Sequence, residues 1–172
     1  RIARVTLELG GKSPAIILDD YDLGKAAASL ARTAPFMTGQ VCSSLTRIIV
    51  SRNRHDDFVD ALSGAFSALR VGDPFDAQSN VGPLAMERQR DRVESYIEAG
   101  KAEGARLAAG GNRPAHLNRG YYVEPTVFGS VDNSMKIARE EIFGPVLSVI
   151  PADSEAQAIA IANDTDFGLN SS

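Results

Sequence analysis

The feature that most constrains the fold is an alternation of short apolar runs, rich in β-branched residues, with longer stretches of helical spacing. Pro14-Ala15-Ile16-Ile17-Leu18, bounded by Asp19-Asp20, reads as a buried strand. Asp22 to about Phe36 is alanine-rich, with Leu23, Ala26, Ala27, Leu30 and Ala34 at helical spacing and Asp22 placed to cap it. A second strand runs from Leu45 through Ile48-Ile49-Val50 to Ser51. An amphipathic helix from Asp56 to Leu69 follows, with Phe58, Val59, Leu62, Phe66 and Leu69 on one face. Val71 to Pro83 is a turn-rich loop, and Met86 to about Ala102 is a charged helix with Val93, Tyr96 and Ile97 inward. A second glycine-rich loop, 110–120, leads to an extended run, Tyr121 to Phe128, in which Pro125 marks an edge or bulge. Strand Val146–Ile150 and a helix capped by Ser154 complete the series. This order predicts a single α/β domain, without internal repeats or a linker.

Composition narrows the function classes. Hydrophobic residues make up 44% of the 172 and charged residues 23%, the balance of an ordinary globular domain. A net charge of −4, with no basic run interleaved with aromatics, argues against a nucleic-acid partner. No apolar stretch reaches membrane-spanning length, so a soluble, cytoplasmic setting without a membrane partner is expected. A single cysteine suits a reducing compartment and excludes a disulfide scaffold.

That cysteine, Cys42, follows Gly39-Gln40-Val41 at the junction into the second strand. A lone thiol behaves most often as a small buried hydrophobe, but at such a junction it is also a candidate nucleophile. Upstream, Val5, Leu7 and Leu9 alternate with Thr6 and Glu8 and predict a short strand that ends in Gly10-Gly11. Glu8 belongs either to a solvated face or to the mouth of a cleft, where the glycines let backbone approach a ligand. Gly11-Lys12-Ser13 fails as a phosphate-binding P-loop, because Thr6 stands where the first glycine is needed. No G-x-G-x-x-G fingerprint occurs in the chain.

Three segments in fixed order carry a resemblance. Leu7-Glu8-Leu9-Gly10-Gly11-Lys12, Gly39-Gln40-Val41-Cys42 and Glu140-Glu141-Ile142-Phe143-Gly144-Pro145-Val146 resemble signature segments of the NAD(P)-dependent aldehyde dehydrogenase superfamily. Gly120-Tyr121-Tyr122-Val123-Glu124-Pro125-Thr126-Val127-Phe128 is similar to a fourth. The resemblance implies a three-layer α/β domain with a mostly parallel sheet, and places residues 1–172 in most of a catalytic domain. The Rossmann-like cofactor domain and the oligomerisation hairpin are expected elsewhere in a longer parent, a homodimer or homotetramer. The chain opens on Arg1 and stops at Ser172, where a new element begins, so both ends read as cut.

The resemblance implies the chemistry residue by residue. Cys42 is the nucleophile that attacks an aldehyde, giving a thiohemiacetal and, after hydride loss to NAD or NADP, a thioester. Glu8 is the base for thioester hydrolysis, a task that needs a carboxyl raised above its ordinary value by an apolar setting to which Leu7 and Leu9 contribute. Leu9 and Gly10 border the cofactor, Glu141 accepts from the nicotinamide ribose hydroxyls, and Phe143 packs near the nicotinamide. Gln89 and Arg92 fall near the adenosine ribose, Arg92 departing from a more usual lysine. Ser43-Ser44-Leu45-Thr46-Arg47 also departs from the commoner pattern after the thiol. The oxyanion of the first intermediate needs preset donors, the Cys42 backbone N–H and an asparagine that precedes this segment; Asn53 and Asn112 do not replace it.

Two rival readings remain at this stage. A thiol–imidazole hydrolase would need His55 or His116 beside Cys42, and both read as surface histidines. With only two histidines and no H-E-x-x-H, no zinc site is expected. Alternatively the 172 residues are a non-catalytic domain or association module, and alone they are expected to show little or no dehydrogenase activity.

Overall fold

The computed structural model describes residues 2–172. Five strands, β1 (Ser13–Ile17), β2 (Leu45–Ser51), β3 (Arg106–Ala109), β4 (Thr126–Gly129) and β5 (Val146–Ala152), form one sheet in the order β1-β2-β5-β4-β3. The pairs β1·β2, β2·β5 and β4·β5 are parallel, and only β3 runs antiparallel, against β4.

The helices are α1 (Leu23–Thr33), α2 (His55–Ser67), α3 (Glu87–Ala102), α4 (Lys136–Arg139) and α5 (Glu155–Asn163). Two of them start as their sequences indicate: the Asp22 carboxylate accepts from Lys25 N–H, and the Ser154 hydroxyl accepts from Gln157 N–H. On one face of the sheet, Ala15, Ile48, Val50, Val127, Leu147 and Val149 pack against Ala27 and Leu30 of α1 and Phe58, Leu62 and Phe66 of α2. On the other, Ile49, Phe128, Val146 and Ile150 pack against Val93 and Ile97 of α3, Ile137 of α4 and Ala158 of α5. Burial on both faces explains why the parallel strands are continuous apolar runs. Truncating a fully buried residue such as Ile49 to alanine would cost about 2–5 kcal/mol.

Three expectations need correction. Val5–Leu9 forms no strand, since no other described segment offers it a hydrogen-bonding ladder. Val5, Leu7 and Leu9 stand exposed with Glu8, so the apolar enclosure expected around that carboxylate is not formed by these residues. His55 is buried: its Nε2 accepts from Ser130 N–H at 3.0 Å, and its Nδ1 pairs with the Asp56 carboxylate at 2.9 Å. Two short elements, β3 and α4, had no signal in the residue pattern. The irregularity anticipated at Pro125 falls on β3, between Leu107 and Ala109, with Pro125 just ahead of β4.

Candidate active site

Parallel pairing decides where the signature segments meet. Gly10-Gly11 leads into β1, Cys42 into β2, and Glu141–Pro145 into β5, and these strands are adjacent and point the same way. All three segments therefore reach the edge where the strands begin. Ligands in open α/β sheets commonly sit at the other edge, where strands end. A cavity of about 740 Å³ lies there, between Asp19, Arg52 and Asp153, but it contains none of the signature residues. The candidate site is placed by converging chemistry and strained backbone instead, and both are at the starting edge.

The cysteine loop approaches its neighbours backbone to backbone. A β-carbon on Gly11 would lie 2.1 Å from the Cys42 carbonyl oxygen, and one on Gly39 would lie 2.3 Å from the Gly144 carbonyl oxygen. Met37, Thr38 and Gly39 have φ of 49°, 59° and 71°, three successive left-handed residues. For Met37 and Thr38 this costs about 1–2 kcal/mol each. The surroundings hold the shape: Thr38 Oγ1 donates to Gly82 O, Gln40 Oε1 accepts from Ala85 N–H, and Gln40 Nε2 donates to Met37 O. On the far side, Asn170 Nδ2 donates to Ser43 O at 3.0 Å. Cys42 itself is half-buried. Phe36, Met37, Thr38, Gln40 and Pro83 line a cleft of about 690 Å³ beside the loop, with Phe36 and Met37 largely exposed.

Glu141 reaches across to the first segment. Its Oε1 accepts from Gly11 N–H at 3.0 Å, and a β-carbon on Gly10, at φ 75°, would lie 2.7 Å from Oε2. No described residue donates to Oε2, which leaves the carboxylate acceptor capacity for a ligand. Phe143 has φ of 60°, uncommon for a bulky side chain, and its ring is partly exposed. Gln89 and Arg92 stand over this turn on α3. Gln89 Nε2 donates to Ile142 O and Phe143 O, and Arg92 Nη2 donates to Glu141 O.

Two buried cations behind the site contrast sharply. Arg47, fully buried in β2, donates to Lys12 O, Ile161 O, Ala162 O and Asn133 Oδ1, tying the start of β1 to the end of α5. Burial and then the neighbouring Arg139 push its guanidinium below its ordinary value. Lys12 is as deeply buried, yet its Nζ has no hydrogen-bond partner. Burial, then the Arg47 charge, lower it to about 7, against a smaller opposing pull from Glu141 and Glu140. On α3, Tyr96 donates to Glu140 Oε2 at 2.6 Å, and burial and that bond push the phenol up to about 12.

The structure thus brings Gly10, Cys42, Glu141, Phe143, Gln89 and Arg92 to one edge, whereas Glu8 and Leu9 lie exposed on the segment that leads to it. Sequence reasoning missed Lys12, Arg47 and Tyr96. Gln89, Arg92 and Tyr96 do share one face of α3 at the spacing i, i+3, i+7, a signal that would have grouped them. His55 follows β2 while Cys42 precedes it, so a strand of roughly 20 Å separates them. His116 bonds Val71 O in a distant loop. Among the described residues no cluster of three metal-ligating side chains occurs, and no helix is long and apolar enough to cross a membrane.

The residues fit one end of a dinucleotide. A carboxylate with a free oxygen, an exposed aromatic ring and close-approaching glycine backbone suit a ribose diol and a planar nicotinamide. A glycine-rich phosphate cradle is not among them.

The chain is similar to several known proteins. The chain is 49% identical over 170 residues to a betaine aldehyde dehydrogenase of Brucella anthropi, covering 98% of this chain and 35% of that one. It is 52% identical over 165 residues to a geranial dehydrogenase of Castellaniella defragrans, covering 96% and 34%. An aldehyde dehydrogenase variant from Pseudomonas syringae, solved with NAD+ and octanal, superposes with a TM-score of 0.95 at 46% identity, covering 99% of this chain and 35% of its own. A Mycobacterium tuberculosis aldehyde dehydrogenase with NAD+ gives 0.90 at 53% identity, covering 95% and 34%. The chain therefore spans about a third of the length of these relatives. With the sequence model of the aldehyde dehydrogenase family matching residues 1–172, the chain belongs to that family.

Proposed function

We propose that this chain is the nucleophile-bearing part of the catalytic domain of a longer NAD- or NADP-dependent aldehyde dehydrogenase, a homodimer or homotetramer that converts an aldehyde to a carboxylic acid. The observation that carries the reading is the convergence of Cys42, Gly10-Gly11 and Glu141–Pro145 on one sheet edge, through contacts as close as Gly11 against the Cys42 carbonyl.

Cys42 Sγ attacks the carbonyl carbon from a loop whose strained backbone is preset, so the thiolate need not reorganise to reach it. The Cys42 N–H is the donor this chain offers to the resulting oxyanion. The bound dinucleotide supplies a hydride acceptor. Glu141 would hold its nicotinamide ribose and Phe143 would flank the ring, with Leu9 and Gly10 bordering the cofactor. Glu8 takes the proton of the water that cleaves the thioester. It stands exposed on the segment that leads to Gly10-Gly11, and the enclosure that would make it an effective base comes from parts of the parent beyond these residues.

In the full-length protein, Cys42→Ala should lower NADH formation by about 10³-fold or more. Glu8→Gln should keep a burst of roughly one NADH per site and lose steady turnover, because hydride transfer precedes hydrolysis. Steady turnover retained in Cys42→Ala would sink the mechanism. The isolated 172 residues should produce little or no NADH, since they hold no phosphate-binding element; robust production by the verified chain would refute that.

A further inference from the structure

The face of α3 that carries Gln89, Arg92 and Tyr96 is committed to the turn Glu140–Phe143. Three successive carbonyls of that turn accept from it: Glu141 O from Arg92 Nη2 at 2.7 Å, Ile142 O from Gln89 Nε2 at 3.1 Å, and Phe143 O from the same amide at 2.7 Å. Arg92 Nη2 also donates to Tyr96 Oη at 3.0 Å, its guanidinium stacks 4.9 Å from the centre of the Tyr96 ring, and Tyr96 Oη donates to Glu140 Oε2. The turn has need of such partners. It lies ahead of β5, outside the ladder, and holds Phe143 in a left-handed conformation that a bulky residue does not keep unaided. Ile142 is buried, so its carbonyl would lose its partner if Gln89 turned away. A guanidinium, being planar and forked, can lie flat on the ring while its N–H groups bond in its own plane.

We propose that Gln89, Arg92 and Tyr96 are positioning residues that act on the dinucleotide through the Glu140–Phe143 turn, fixing Glu141 and Phe143 for the nicotinamide riboside, and that Gln89 and Arg92 do not contact the adenosine half. This rests on the reading of Glu141 and Phe143 given above. It reassigns Gln89 and Arg92 from the adenosine ribose, where the resemblance puts them, to the opposite end of the cofactor.

The test is equilibrium binding to the full-length protein of three probes: NAD+, nicotinamide mononucleotide, which lacks the adenosine, and AMP, which lacks the nicotinamide. Arg92→Met and, separately, Gln89→Leu should weaken NAD+ and nicotinamide mononucleotide by the same factor, about tenfold, as expected from losing one or two well-placed hydrogen bonds. AMP affinity should stay within about twofold, a small change on the same scale. Arg92→Lys, which keeps a donor but not the stacked fork, should fall between Arg92→Met and the unmodified protein. Weakening of NAD+ and AMP with nicotinamide mononucleotide unchanged would overturn the proposal in favour of direct adenosine contact. Equal weakening of all three probes, or of none, would overturn it too. Failure of the unmodified protein to bind NAD+ would instead mark failure of the dehydrogenase reading, and this inference would fall with it.

Discussion

The loop carrying Cys42 and the segment carrying Glu8 approach the same edge of the sheet but are held in opposite ways. The loop is fastened by Thr38, Gln40 and Asn170 and pressed between Gly11 and Gly144, with enough constraint to keep Met37 and Thr38 in a costly conformation. Residues 2–9 form no hydrogen bond to the rest of the described chain and expose Val5, Leu7, Leu9 and Glu8. The Cys42 thiol is thus positioned by this chain's own framework, whereas nothing described in the chain fixes the Glu8 carboxylate. Under the proposed mechanism the aldehyde carbon must meet the Cys42 sulfur and a water must then reach the acyl carbon bound to it, so the two segments would serve successive steps.

The largest effect that sharpens this contrast is expected from Gly39→Ala. The added carbon would strike the Gly144 carbonyl at a residue already at positive φ, so a loss of about 3 kcal/mol should appear as a lower urea midpoint. An unchanged midpoint would mean that the loop is as loosely held as residues 2–9. A smaller effect, opposite in sign, is expected from Lys12→Met, which replaces a partnerless buried amine with an apolar chain of similar reach. Lys12 titrates near 7 when folded and near 10.5 when unfolded. Between those values the unfolded chain holds a proton that the folded one has released, so this group adds stability as pH rises, by at most about 1.4 kcal/mol per pH unit. Below pH 7 its burial cost is fully present. Lys12→Met should therefore stabilise the chain most at pH 7 and below and remove that slope in paired denaturation curves at pH 7 and 9; parallel curves would exclude the titration. The smallest effect is expected from Leu7→Ala, which should move the chain's midpoint by no more than about 0.5 kcal/mol. A loss above 2 kcal/mol would show that the segment is packed after all.

The same contrast shows what could be read in the residues. Helices α1, α2, α3 and α5 and strands β1, β2 and β5 follow from periodicity and from caps such as Asp22 and Ser154, because each buries a face that its own spacing defines. β3 is Arg-Leu-Ala-Ala, with little strand preference, and exists because β4 offers it a ladder. Val5–Leu9 has the better pattern and lacks the ladder, so it is no strand. Pairing, which a local pattern does not contain, decided both cases. At the site, the signature segments were legible through their resemblance to family motifs, whereas the residues alone left Cys42 and Glu8 open between structural and functional readings. The bonds from Arg92 and Gln89 to the 141–143 carbonyls depend on how α3 is rotated over the turn, which spacing alone does not contain.

The position of β5 has a consequence for how the chain acquires its shape. It is the last of the five described strands in chain order, yet it lies between β2 and β4, pairing Arg47 with Ser148 across about a hundred residues. As the polypeptide emerges, β1 and β2 can associate early, and β3 with β4, but the two parts have no common edge until β5 slots between them. Gly144, which walls the Cys42 loop, arrives with that strand. The Cys42 loop therefore stays without that wall until about a hundred further residues have been made, and it takes its shape only when β5 joins β2 to β4.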